Sequence, residues 1–321
     1  MRRIRQDLQK RHVPEQWITL AIEAVDEDDT PALQKALEKL LELLDALEEA
    51  DTSRRAAQID KDGNVTLSSE IPAGKPAAEK SAEDGTGESQ PLYMSLNHVM
   101  EYYIFAYYFQ PATEVRCTDI PYGEYYRTYG QLALSMQKYN GAKKAYERAI
   151  AWNPVDLDAY LGLAEVYKYQ NQREKYLTVT KQAYRYCCTR ATMARYYRNM
   201  AFYYLSGYEP ETARACYQYS NVYYHTENAD SELKYISEAI QQETPQTDIR
   251  AIQKLFDEKQ IEPGPDSQTI GIVYKVGEIL LKDGDYKLAK DCYSIVYDIT
   301  QDAAAEKMLN ELEAAISGSE E

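Results

Sequence analysis

Between residues 123 and 301 one helical frame of large and small residues is written out five times. In YYRTYGQLALSMQKYNGAKKAYERAIAWNP, Tyr126, Tyr129, Gly130 and Ala133 share a face of one helix. Ala142, Tyr146 and Ala149 share a face of the next, which Pro154 ends. Gly130 and Ala142 lack bulk where two helices must cross closely, and Tyr146 fills the hole beside them. The frame returns 34 residues later as Tyr160, Leu163, Ala164, Tyr167 and Ala183, and 37 beyond that as Tyr197, Met200, Ala201, Tyr204, Ala213 and Tyr217. A fourth copy is degenerate, with Tyr235, Ala239, Ala251, Leu255 and Pro263; the fifth has Val273, Val276, Gly277, Leu280, Ala289 and Tyr293, with Gly284-Asp285 as its turn. A unit of this size cannot bury its apolar face alone, so the copies must stack. Tyr176 stands where the second copy should be small, which predicts looser or shifted packing there. After Thr300, DAAAEKMLNELEAAI has the polar outer face of a helix that caps an array.

All 31 tyrosines lie between Tyr93 and Tyr297. Eight of them, Tyr126, Tyr146, Tyr160, Tyr167, Tyr197, Tyr204, Tyr217 and Tyr293, occupy the repeated large positions and are expected to pack helix seams. Tyr169, Tyr184, Tyr186, Tyr203, Tyr219 and Tyr274 fall off the frame. A ring with a polar tip at such positions suits a wet helix interface or a peptide-binding surface equally.

The tyrosine-free N-terminal part reads differently. Pro14 can open a helix with Trp17, Leu20, Ala21, Ala24 and Val25 on one face, and Thr30-Pro31 opens a second as cap and first turn. Leu33, Leu37, Leu40, Leu44 and Leu47 form a narrow seam, suited to an intramolecular hairpin or, alternatively, to a homodimer contact. IDKDGNVTL predicts a short β-hairpin; it also starts like a calcium loop, but Val65 stands where that loop needs glycine and Ile71 where it needs glutamate. Residues 72–90, rich in Pro, Ala, Gly, Ser and charge, read as a flexible linker. The expected organisation is an N-terminal helical hairpin (1–50), a short β-hairpin and linker (51–92), a helix and loop leading into the array (93–122), the repeats (123–301), and a capping helix with its tail (302–321).

Charge and chemistry narrow the function. A net charge of −16 argues against general nucleic-acid binding. Five cysteines without a CxxC pair fit neither a disulfide framework nor a zinc site, no apolar run follows the basic N-terminus, and YYIFAYYF (102–109) is far short of a bilayer span. The expected location is cytoplasmic. His12, His98 and His225 are scattered, and no nucleophile motif or phosphate loop accompanies them, so no enzyme, cofactor or metal site is expected. One interval stands out against the acidic background. From Lys175 to Tyr208 there are six basic residues, Lys175, Lys181, Arg185, Arg190, Arg195 and Arg198, and no acidic one.

The repeated spacing of large, large and small, then small, aromatic, small and a terminal proline resembles the tetratricopeptide repeat. The resemblance implies an all-α, right-handed solenoid of about five helical hairpins with a C-terminal capping helix, added to the N-terminal hairpin. It also implies that the first helix of each hairpin lines a concave groove, which would place Arg127, Gln131, Glu165, Tyr169, Arg195, Arg198, Asn199 and Phe202 there. Some members of that family clamp a C-terminal carboxylate with Lys, Asn and Arg from successive repeats; here Gly162 and Glu165 replace the middle asparagine, so the clamp is incomplete. The implied function is a non-enzymatic scaffold or adaptor holding a protein or peptide segment with acidic or C-terminal groups, and no membrane. Two alternatives stand beside it: a peptide-sensing regulator, disfavoured because residues 1–50 show a leucine seam in place of a recognition helix, and RNA binding through the Arg/Tyr interval.

Overall fold

A computed structural model describes residues 2–51, 53–60, 64–68 and 91–317, with side chains from Pro14 to Ile316 within those spans. The linker 72–90 and residues 61–63 of the calcium-like loop lie outside the described residues. The chain divides into two compact units, Met1–Lys175 and Tyr176–Glu321.

The first unit begins with an antiparallel pair of long helices, α1 (Arg2–Asp26) and α2 (Thr30–Ala50). Contrary to the expectation that Pro14 starts a helix, α1 runs through it, and Pro14 cannot donate the N–H that would continue the ladder there. The cap of α2 is Asp29, one residue before the expected Thr30. Its carboxylate accepts from Ala32 N–H at 3.0 Å while Pro31 occupies the first turn, where a missing donor costs nothing. Leu33, Leu37, Leu40 and Leu44 are buried, covered by α1 and by the first repeat helix, so these four leucines serve the inside of the unit.

Five short strands follow α2 or lie within this unit: β1 (Arg54–Arg55), β2 (Ala57–Ile59), β3 (Val65–Leu67), β4 (Leu92–Met94) and β5 (Val115–Cys117). β2 and β3 pair antiparallel with Ile59 opposite Val65. β1, β4 and β5 form a small parallel sheet in the order β1-β4-β5, which the sequence did not announce because each strand is only two or three residues long. The apolar run 102–109 lies in α3 (Val99–Phe109), where Ile104 and Phe105 are buried and Phe105 stacks on Phe109.

The first repeat is the hairpin of α4 (Tyr122–Ser135) and α5 (Tyr139–Trp152), and α6 (Leu157–Tyr169) packs on both. Gly130 on α4 and Gly162 on α6 both face the ring of Tyr146: a methyl at Gly130 would lie 3.0 Å from it, and one at Gly162 would overlap it. The N-terminal hairpin is docked onto this repeat. Tyr122 donates to Asp51 at 3.0 Å and stacks on Trp152 at 4.3 Å, the Trp152 indole donates to Glu48, and Arg148 pairs with Asp45.

α7 (Arg173–Tyr184) contains the boundary between units. The second unit continues with α8 (Arg190–Ser206), α9 (Pro210–Tyr223), α10 (Glu227–Ile240), α11 (Ile249–Lys259), α12 (Ser267–Lys282), α13 (Tyr286–Thr300) and α14 (Ala303–Ser317). The α8/α9 and α12/α13 hairpins keep the expected frame, with Ala213, Val273 and Ala289 fully buried and Tyr293 1% exposed. Gly277 meets Tyr293 as Gly130 meets Tyr146, and Gly284, at φ +83°, turns the chain into α13, whose first turn Asp285 caps. α14 packs on α13 through Ala305 and Leu312.

The fourth copy departs from expectation by one residue. Tyr235, Ala239 and Ala251 are exposed, and the buried positions are Ile236, Ile252 and Phe256. The reason is the support these helices use, since α10 and α11 each pack on α9. Tyr176 also corrects the sequence reading. It is 1% exposed and packs without looseness, edge-on to Phe202 at 5.4 Å, its hydroxyl donating to the Asn199 carbonyl at 3.1 Å.

Candidate functional site

All eight frame tyrosines are buried, and several reach carbonyls far along the chain. In the second unit Tyr197 is ringed by Tyr219, Tyr223 and Phe256 at centroid distances of 4.8, 5.7 and 5.6 Å. Its hydroxyl donates to Glu262 O at 2.7 Å, Tyr219 donates to Pro263 O, and Tyr184 donates to Gly264 O at 2.9 Å. Three phenols thus hold the connection between α11 and α12. Burial, with the neighbouring phenols adding to it, pushes the Tyr197 hydroxyl far above its ordinary pKa, so it stays a donor. Of the off-frame tyrosines, Tyr184, Tyr186 and Tyr219 are spent on packing, while Tyr169 is 60% exposed and stacks on Tyr139, 5.6 Å away.

The residues expected to line a groove divide between the units, four in each. In the first, Arg127 gives both oxygens of Asp156 a hydrogen bond, at 3.0 and 2.9 Å. Asp156 is 1% exposed and caps α6 through Ala159 N–H, so Arg127 neutralises a buried cap. Glu101 and Asn153 lie beside it, with Asn153 Nδ2 donating to Glu101 at 2.8 Å. Burial raises the Glu101 pKa, against the lowering effect of the Asn97 and Asn153 hydrogen bonds. This polar network was invisible in the sequence, because Glu101 lies 52 residues from Asn153 and Arg127 29 from Asp156, and each is unremarkable in type. Gln131 and Tyr169 are exposed and Glu165 is half-buried, 3.9 Å from Lys168.

In the second unit Arg195, Arg198, Asn199 and Phe202 follow one another along a face of α8. Asn199 is 6% exposed, and its Nδ2 has no hydrogen-bond partner. Phe202 is half-buried against Tyr176. Among the described residues neither Arg195 nor Arg198 has a carboxylate partner. Arg198 has only the Tyr224 carbonyl, at a long 3.4 Å, and Arg190 donates to Val222 O at 2.8 Å, so these two guanidinium groups sit at the negative end of α9. Partial burial lowers the Arg198 pKa, and the like charge of Arg195 lowers it further. Val222 and Tyr224 beside them are exposed. The arrangement is a half-buried cationic pair with an apolar rim, suited to receive an anion by charge-assisted hydrogen bonds.

Among the described residues no helix is long and apolar enough to cross a membrane, and no group of three or more His, Cys, Asp or Glu is placed to hold a metal ion. No protein-family model matches the chain, and no curated protein matches it. Solved structures do resemble it. One, described as the crystal structure of the APC/C hetero-tetramer Cut9-Hcn1, is 13% identical over 60% of this chain with a TM-score of 0.34; the chain spans 36% of that protein's length. PilF of Pseudomonas aeruginosa is 10% identical, with 96% of this chain and 99% of that one covered and a TM-score of 0.42. YrrB, described as a TPR protein with an unusual peptide-binding site, is 14% identical, with 58% and 91% covered and a TM-score of 0.31. On its own geometry, with glycine-against-tyrosine seams in α4/α5/α6 and α12/α13, the chain is an all-α helical-repeat protein.

Proposed function

We propose that this protein is a non-enzymatic scaffold that holds a protein or peptide segment, and that the α8 face carrying Arg195, Arg198 and Phe202 is where an acidic side chain or a C-terminal carboxylate is recognised. The observation that carries this reading is that Arg195 and Arg198 have no carboxylate partner among the described residues, in a chain with 52 acidic against 36 basic residues. Acid is abundant enough that a half-buried arginine pair without one leaves its charge for something else to satisfy. Two guanidinium groups three residues apart on a helix share a face, so one carboxylate could meet both.

The test is binding of fluorescein-labelled peptides with acidic side chains, each made with a free and an amidated C-terminus, to the full chain and to the Arg195→Glu/Arg198→Glu variant. Circular dichroism checks that the variant is folded. At least a tenfold loss of affinity on charge reversal, in a folded variant, is the expected result. Unchanged binding by the folded variant moves the recognition surface elsewhere. A difference between the free and amidated peptides tells a terminal carboxylate from an acidic side chain. Because RNA binding weakens steeply with salt, an oligoribonucleotide that binds more tightly than the peptides at low salt would favour the nucleic-acid alternative.

A further inference from the structure

Beside Arg195 and Arg198, α8 carries a third arginine in the same situation. Arg190, Arg195 and Arg198 are all half-buried, α8 contains no acidic residue, and among the described residues no Asp or Glu pairs with any of the three. Two of them are held by the end of α9. Arg190 donates to Val222 O at 2.8 Å and Arg198 to Tyr224 O at 3.4 Å. Val222 and Tyr224 are two residues apart, so their Cα atoms lie within about 7 Å of each other, and the two guanidinium groups meet one short stretch of chain. Arg195 stands one turn before Arg198 on the same face. After burial, its like charge is the next cause that lowers the Arg198 pKa.

These charges are not balanced within the fold. The negative end of α9 amounts to about half an elementary charge, against three guanidinium groups. Each guanidinium has five N–H donors, and the bonds to α9 engage one on Arg190 and one on Arg198. A carboxylate brings a single charge and two oxygens. A phosphate monoester brings about two charges at pH 7 and three strong acceptor oxygens, which the planar fork of arginine matches in pairs. Three cations facing half a charge are therefore answered more fully by a phosphate than by a carboxylate. Val222 and Tyr224, both exposed, supply apolar surface beside them.

We infer that Arg190, Arg195 and Arg198 form a phosphate site, and that the acidic group received on the α8 face is the phosphate of a phosphorylated side chain in the partner segment. The inference rests on reading that face as the recognition surface, and it names the group recognised there. The phosphate accepts charge-assisted hydrogen bonds from the three guanidinium groups, and the residues next to it in the partner lie on Val222 and Tyr224.

Isothermal titration calorimetry on the full chain tests this with one ten-residue peptide in three forms, carrying phosphoserine, glutamate or serine at its centre, with every other residue uncharged and both ends blocked. The phosphoserine form should bind at least tenfold more tightly than the glutamate form, and the serine form should not bind. Arg190→Gln should weaken the phosphoserine peptide at least fivefold and the glutamate peptide less than twofold, and Arg190→Lys should restore part of the loss. A merely structural role at the end of α9 would weaken both peptides alike. Should Arg190→Gln fail to fold, competition on the unaltered protein reads the same preference: at matched ionic strength, inorganic phosphate should displace the phosphoserine peptide at a concentration at least tenfold lower than acetate. Phosphoserine binding no tighter than glutamate binding overturns the phosphate site and leaves the α8 face a site for acidic groups in general. Binding of both peptides that a folded Arg195→Glu/Arg198→Glu variant keeps unchanged, or binding of neither at millimolar concentration, overturns both readings. A phosphodiester carries only one charge, so an oligoribonucleotide that binds more tightly than the phosphoserine peptide also overturns the inference.

Discussion

Tyr146 in the first unit and Tyr197 in the second both fill large positions of the repeat frame, one on the second helix of its hairpin and the other on the first, and they are held in different ways. Tyr146 sits between two glycines, Gly130 and Gly162, and its position is decided by size. Tyr197 sits among the rings of Tyr196, Tyr219, Tyr223 and Phe256 and is fixed by a hydrogen bond to a carbonyl 65 residues away. The first seam is a matter of volume between neighbours in sequence. The second is a matter of bonding between the α8/α9 hairpin and the connection that enters α12. A mutation that adds volume should therefore injure the first, and one that removes a single oxygen should injure the second.

The largest effect is expected at Gly162. A methyl there overlaps the Tyr146 ring, which is already in close approach to Gly130. Gly162→Ala should cost about 3 kcal/mol, the upper end for overpacking a dense core. Ala142→Leu, at a position with no exposure in the α4/α5 hairpin that α6 packs on, should cost roughly 1–3 kcal/mol by the same mechanism. Denaturant titration of the full chain measures both. A Gly162→Ala protein as stable as the parent would mean that volume is not what fixes this seam.

Next in size is Tyr197→Phe, which keeps the ring contacts and deletes the donor to Glu262 O. The carbonyl is left without its partner beside a buried ring, and the expected cost is about 1.5 kcal/mol. Adding Tyr184→Phe and Tyr219→Phe should release the connection between α11 and α12, read as faster amide exchange at residues 260–266 and as cleavage there by a protease that leaves the parent intact. If the triple variant is protected like the parent, ring packing alone holds that segment.

These two seams also show what a sequence can disclose. Large-small complementarity repeats with the helix period, so Gly130, Ala142, Tyr146, Gly277 and Tyr293 could be placed before any coordinates. A phenol's hydrogen bond has no period, and nothing in the surrounding residues pairs Tyr197 with Glu262 or Tyr184 with Gly264. The fourth repeat slipped by one residue for a related reason: its buried positions answer to α9, so the internal spacing of Tyr235, Ala239 and Ala251 was a poor guide. At the candidate site the acid-free interval marked six basic residues by composition, and the family resemblance picked Arg195 and Arg198 from among them. Arg127 was chosen by the same frame, but its bond to Asp156 depends on a buried cap that helical periodicity does not reveal.

The smallest expected effect has the opposite sign and tests the volume argument where volume is free. Gly271 lies in the interior of α12, exposed, with nothing within 4 Å of where a methyl would go. Glycine there costs helix stability because its backbone has more freedom to lose, so Gly271→Ala should stabilise the protein by roughly 0.5–1 kcal/mol. Gly130→Ala brings the same gain in backbone entropy within α4, but its methyl meets the Tyr146 ring at 3.0 Å. The two substitutions are chemically identical and differ only in what stands opposite, so the gap between their effects isolates the packing at the first seam. A Gly130→Ala protein stabilised as much as Gly271→Ala would show that Tyr146 has room to move there, and the contrast between a seam set by volume and a seam set by bonding would then rest on Gly162 alone.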